Sequence, residues 1–222
     1  MNPYQVQVRG EQLILDPDRA LYWPNAKLLM VADVHLGKAH CFRRAGLAIP
    51  SGSTARDLAR LSALIERFQP DRLLILGDLV HGPSAPDAPW AEATRLWRQN
   101  LSELDVALIA GNHDRHFDAR QLGISVLGHE LLHGPFRLVH EPHSAAEDQH
   151  YWLSGHVHPG IRIQDGRRHL RLAAFCFGPH GGLLPAFGGM TGLMIQELRT
   201  DHQIYAATPG GMLCVPSGGY HR

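Results

Sequence analysis

The chain has 222 residues, 44% hydrophobic and 19% charged, which is ordinary for a soluble globular protein with enough core to fold alone. Lys plus Arg and Asp plus Glu each number 21, so with neutral His the net charge is zero. That excludes a global basic field, and any nucleic-acid site must be a local cationic lip.

Residues 5–8 and 12–15 alternate polar and apolar around Gly10-Glu11 and predict an opening hairpin. Residues 20–23 add a short strand before the buried run at residues 28–31. Residues 37–53, rich in Gly, Arg and small side chains, predict an active-site loop. A helix follows, with Ser53 or Thr54 as its cap, Leu58, Leu61, Ile65 and Phe68 at helical spacing, and Pro70 as its stop. Residues 72–76 form the next strand, and residues 81–89 a Pro-rich loop. Residues 90–101 predict a second helix, with Ala93, Leu96, Trp97 and Leu101 on one face. Residues 106–110 form another strand. This β-α-β-α-β order predicts parallel pairing through crossover helices. After residue 122 short strand-like runs follow at 124–127, 130–133, 136–140, 151–154, 161–164 and 169–174, with turns at Gly134-Pro135 and Asp165-Gly166. Residues 193–198 and 203–207 predict a last hairpin, and residues 208–222 an irregular tail. The expected class is α/β: two packed mixed β-sheets flanked by helices, in one domain spanning residues 1–222.

Five polar clusters follow five of the apolar runs. They are Asp33-Val34-His35, Gly77-Asp78, Gly111-Asn112-His113-Asp114, His140 and Gly155-His156-Val157-His158. Strands that end on one sheet edge deliver their following loops to one place, so these groups should converge. Taken singly, an Asp or Asn after a strand is usually a turn or cap residue. Together with His at fixed offsets, they read as oxygen and imidazole ligands for hard or borderline divalent ions such as Mn, Fe or Zn. The surplus of 16 His in the chain agrees. Of two nearby His, His140 ends its apolar run and is preferred over His143.

These motifs, in this order, resemble those of the calcineurin-like metallophosphoesterases. Residues 33–38 with 42–50, Leu138-Val139-His140-Glu141-Pro142 and Leu184-Pro185-Ala186-Phe187-Gly188 narrow the resemblance. They are similar to the ligase-associated DNA-repair phosphoesterases of the PdeM type. The resemblance implies a four-layer αββα sandwich and a single-strand DNA endonuclease and phosphodiesterase. It implies functional association with a helicase, a DNA ligase and an exonuclease. It also implies two divalent metals, Mn first with Fe or Zn as alternatives. Asp33, His35, Asp78 and His158 would hold one, and Asp78, Asn112, His140 and His156 the other, with Asp78 as the bridge. The expected chemistry is in-line attack on phosphorus by a hydroxide bridging the metals. His113 would be the acid for the leaving alkoxide, its ring held by Asp114.

Lys38, Arg43 and Arg44 follow the first cluster and predict a phosphate-gripping lip, to which Arg115 adds; His81 is expected to line the pocket. The alternatives are a phosphodiesterase for a small cyclic nucleotide or nucleotide-lipid, and a catalytically silent scaffold. A Ser/Thr phosphatase fits poorly, because Asp78 is followed by Leu79-Val80-His81 without an early Arg. Cys41, Cys176 and Cys214 form no CxxC pair and predict a reducing, cytoplasmic setting. No apolar run approaches the roughly 18 residues of a membrane span, and the first residues lack a signal-peptide pattern, so no membrane partner is expected.

Overall fold

Strand periodicity sorts the apolar side chains of this chain onto alternate faces, and each face finds a core. The computed structural model describes residues 2–82, 88–143, 149–165, 168–197 and 199–216. Among these, seven strands form a first sheet: β1 (Tyr4–Val8), β2 (Glu11–Asp16), β3 (Ala20–Trp23), β4 (Leu28–Val31), β5 (Arg72–Leu76), β6 (Asp105–Ile109) and β7 (Ser125–Val126), neighbouring in that order. β1 to β4 pair antiparallel as a meander, and β4 to β7 run parallel. The parallel connections carry the helices α1 (Lys38–Arg44), α2 (Ser53–Phe68) and α3 (Pro89–Gln99).

The second sheet uses β8 (Glu130–His133), β9 (Phe136–Val139), β10 (Tyr151–Ser154), β11 (Pro159–Asp165), β12 (Arg168–Phe177), β13 (Gly181–Leu183), β14 (Met194–Ile195), β15 (Gln203–Thr208) and β16 (Gly211–Val215). β9, β10 and β13 are parallel, and β11 with β12 forms an antiparallel hairpin.

On β4, Leu29 and Val31 face Leu58, Leu61 and Leu64 of α2, while Leu28 and Met30 face Phe136, Leu153 and Phe175 of the second sheet. β5 repeats the division, with Leu73 and Ile75 toward the helices and Leu74 and Leu76 between the sheets. Phe136 and Phe175 are fully buried, and each such side chain contributes about 1.5–3 kcal/mol. The fold class read from the sequence is the one observed. The described helices flank the first sheet; the outer face of the second carries a smaller cluster of strand residues, Ile161, Ala174, Cys176, Ile204, Ala206 and Val215.

Four local expectations are corrected. The predicted active-site loop contains α1, a seven-residue helix. It is too short for periodicity to reveal. α2 starts after Gly52, which has φ 87° and makes no side-chain cap hydrogen bond, so neither Ser53 nor Thr54 is its cap. Residues 193–198 do not pair with 203–207: β14 lies parallel to β11, and β15 pairs with β16. The tail is therefore regular over Gly211–Val215, because Pro209-Gly210 is a hairpin turn signal. The middle of the predicted Pro-rich loop (83–87), Gly166 of the predicted turn, Leu198 and residues 217–222 lie outside the described residues.

Between β13 and β14 the chain reaches across to the first sheet and returns. Leu184 donates to the Ser154 carbonyl (2.8 Å), Phe187 to Ala32 (2.7 Å) and Gly188 to Asp33 (3.1 Å). Ala186 makes a parallel bridge with Ala32. This strap fastens the ends of β4 and β10 together.

Candidate functional site

The five polar clusters all sit just past the carboxyl ends of strands: β4, β5 and β6 in the first sheet, β9 and β10 in the second. Parallel polarity within each set puts these ends on a shared edge. The first two loops are zipped by their backbones: Asp33 donates to Gly77 (3.1 Å), His35 to Asp78 (2.9 Å) and Leu36 to Leu79 (2.8 Å). Five side chains that point into the site come from left-handed backbone. φ is 53° at Asp33, 50° at His35, 50° at Asp78, 66° at His156 and 53° at His158. Such residues are uncommon and cost free energy, and they concentrate at functional sites. Gly77 is glycine for the same economy of space. Its φ is 75°, and a Cβ there would drive into the His140 imidazole.

Two groups of metal-competent atoms result. In one, Asp33, His35 and His158 each place a ligand atom within 4.8 Å of the others; in the second, Asp78, His140 and His156 do so. Asp78 lies between them. Its Oδ2 is 3.8 Å from His35 Nε2, and its Oδ1 is 3.4 Å from His140 Nε2. Asn112 joins the second group, with Oδ1 3.0 Å from His140 Nε2 and 3.2 Å from His156 Nδ1.

The donor set fits cations. His140 Nδ1 lies 3.1 Å from the Leu76 carbonyl. That contact needs a proton on Nδ1 and leaves a lone pair on Nε2. This Nε2 faces the Asn112 oxygen, an Asp78 oxygen and His156 Nδ1, the last at 3.1 Å. A cation bound among these atoms would accept lone pairs from all of them at once. Beside them, burial above all, then Lys38, pulls the His35 pKa down to about 2. Asp33 and Asp78 are also almost fully buried, and unpaired charge there would be costly.

The remaining predicted residues divide. His113 Nε2 lies 3.9 Å from Asp78 Oδ2. Its ring stacks on His81, with centroids 5.2 Å apart and planes 25° apart. His81 therefore reaches the site, forming a third metal-competent group with His35 and His113; burial, then Lys38, lowers its pKa to about 4. Asp114 does not hold the His113 ring. Its Oδ2 accepts the Gly111 amide (2.9 Å) and its Oδ1 the Val80 amide (3.2 Å), so it braces two loops from below.

Lys38 opens α1 close enough to feel Asp33 and Asp78, which raise its pKa against the larger lowering by burial. Arg43 and Arg44 are exposed in the last turn of α1, and Arg43 Nη1 donates to Pro50 O (3.3 Å). Arg115 is exposed on a cavity of about 320 Å³ that also borders Asn112, His129, His140 and His143. Sequence reasoning passed over Asp57 and Arg60 of α2, which grip the strap behind Asp33; the only signal was a charged pair beside the core positions Leu58 and Leu61.

Comparison with known proteins follows the same lines. The model of the calcineurin-like phosphoesterase family matches residues 26–189. A crystal structure of Pseudomonas putida nuclease MPE shares 37% identity over 93% of this chain and 97% of that one, with a TM-score of 0.80. Yfce, a phosphoesterase from E. coli, matches at 16% identity over 86% of this chain and 92% of the other, with a TM-score of 0.41. No curated protein matches the chain.

Proposed function

This chain belongs to the calcineurin-like phosphoesterase family, and from that premise we propose that it is an endonuclease for single-stranded DNA acting in repair. It is a metal-dependent phosphoesterase; nucleic acid as its substrate is supported by the 37% identity to a nuclease. Asp33, His35, Asp78 and His158 hold one divalent cation, and Asp78, Asn112, His140 and His156 the other. The observation that carries this reading is Asp78, whose two oxygens face the two groups from 3.8 and 3.4 Å. Manganese suits this oxygen-rich, thiolate-free set, with iron or zinc as the alternatives.

When bound, two divalent cations supply Lewis acidity, acidifying water and drawing charge off phosphoryl oxygens. The protein's own groups do the rest. The Leu76 carbonyl fixes the tautomer of His140, and the His156 amide holds the Asp33 carboxylate at 3.1 and 2.9 Å. His113, part-exposed beside Asp78, gives its Nε2 proton to the departing alkoxide. Its orientation comes from the stacked His81 ring. Lys38 at the base of α1 and Arg43 and Arg44 at its tip guide the phosphodiester chain, and Arg115 grips it on the side of Asn112. The three free cysteines suit a cytoplasmic setting. Association with a helicase, a ligase and an exonuclease is the expected repair context.

Circular single-stranded DNA with manganese tests the reading, beside bis(p-nitrophenyl) phosphate and an Asp78→Ala control. Nicked circles from the unmodified enzyme alone are the expected result. Hydrolysis of the small diester with intact circles would replace the DNA reading by a small-molecule phosphodiesterase. Failure on both, with no manganese uptake, would leave a silent scaffold.

A further inference from the structure

The strap at residues 184–189 is not used by the chemistry above, yet it is pressed against the ligand loop that begins at Asp33. Asp33 donates its amide to Gly77 (3.1 Å) and gives its carbonyl to Gly188 (3.1 Å), so its left-handed peptide is fixed on both sides. Gly188 sits so close that a Cβ would press on the Val34 carbonyl oxygen. The strap is gripped in turn from behind. Asp57 Oδ1 and Oδ2 accept the Gly189 amide at 3.2 and 3.3 Å. Arg60, one turn later on α2, donates to the Phe187 carbonyl (2.7 Å) and to Asp57 Oδ1 (3.4 Å), and its guanidinium covers the Phe187 ring at 4.1 Å. Arg19 donates to the Ala186 carbonyl (3.2 Å). Asp57 is buried at 7% exposure. A buried carboxylate and a guanidinium aimed at peptide groups, rather than merely at each other, specify where those peptides lie.

We propose that Asp57 and Arg60 are positioning residues for the Asp33 half of the metal centre, acting through the peptides of Phe187, Gly188 and Gly189. Neither belongs to a metal-competent group. The proposal rests on the assignment of Asp33, His35 and His158 to one cation. The grip ends on the Asp33 peptide, and it reaches the other group only one step further, through the His156 amide that binds the Asp33 carboxylate. Loss of the grip should therefore weaken the Asp33 site more than the other. A general loss of packing would weaken both equally.

The test is titration of metal-stripped protein with manganese by calorimetry, with Asp33→Ala as the reference. The unmodified protein should bind two ions and Asp33→Ala one. Asp57→Ala should weaken one of the two by about tenfold or more, the scale of lost outer-shell support, and change the second by less. Asp57→Asn keeps an oxygen for the Gly189 amide and should stay within about twofold of the unmodified protein, on the same scale. Turnover of bis(p-nitrophenyl) phosphate by Asp57→Ala should recover at high manganese, with KM unchanged. If Asp57→Ala fails to fold, Arg60→Met retains the cover over Phe187 but removes the donors, and should weaken the same ion severalfold. Normal affinity for both ions in these variants, or equal loss at both, overturns the proposal while Asp33→Ala still binds one. Two ions retained by Asp33→Ala would overturn the assignment of Asp33, and the proposal with it.

Discussion

The first sheet supplies the site with both carboxylates and with further imidazoles, and the second supplies it with imidazoles. The two supplies differ in burial and in backbone. Asp33, Asp78 and His35 are at most 5% exposed, and their loops are zipped together by four backbone hydrogen bonds. From the second sheet only His140 is buried as deeply, while His158 is half-buried and His156 open to solvent. The carboxylates sit where water is excluded, which strengthens their pull on a cation. His156 and His158 line the open side, where a substrate must enter. Negative charge is thus held at the floor of the site and kept from repelling an incoming phosphodiester.

Substitutions on the two sides should break this comparison in different ways. Asp78→Ala removes the carboxylate whose two oxygens face the two clusters and leaves the His113 amide without its acceptor at 3.0 Å. It should lower turnover by more than about a hundredfold, beyond what loss of an outer-shell partner costs, and elemental analysis should find both metals lost. Gly77→Ala forces a Cβ into His140 at a left-handed position. It should cost about 1–3 kcal/mol of stability, read by denaturant unfolding, and lower manganese affinity as well. Arg43→Glu with Arg44→Glu touches neither sheet. It should raise KM for DNA by about tenfold at low salt, through lost phosphate contacts, and leave KM for bis(p-nitrophenyl) phosphate unchanged. His156→Ala, on the open side, should lose one metal ion while the metal-free protein unfolds within about 0.5 kcal/mol of the unmodified one. A large loss of metal-free stability there would show that the second sheet's ligands are scaffold as well.

Much of this arrangement is legible in the sequence, for definite reasons. The runs that became β4, β5 and β6 are apolar beyond an opening Arg72 or Asp105 because parallel strands are covered on both faces, and each is followed by its polar cluster. Helix α2 shows itself by Leu58, Leu61, Ile65 and Phe68. What stayed hidden depends on contacts between distant segments. The left-handed φ of Asp33 or His158 is imposed by neighbouring loops and leaves no trace in residue type. The partners of Asp114 are chosen by the fold of the Gly111 and Val80 loops; nearness in the chain to His113 says nothing about them. β14 was misread because two residues pairing with β11 carry no periodicity. The strap was visible only as Leu184-Pro185-Ala186-Phe187-Gly188, a motif without a task until its hydrogen bonds to Ala32 and Asp33 are seen.

The strap has a bearing on how the protein is made. Asp57 meets the Gly189 amide 132 positions further along the chain, and Arg60 meets Phe187 at a separation of 127. A ribosome releases residues one at a time from the amino end, so the parallel strands β4, β5 and β6 can assemble long before residue 187 is translated. The Asp33 peptide must wait, open on one side, until Gly188 has been made, and a translation product truncated before it would carry the early strands without the closed loop.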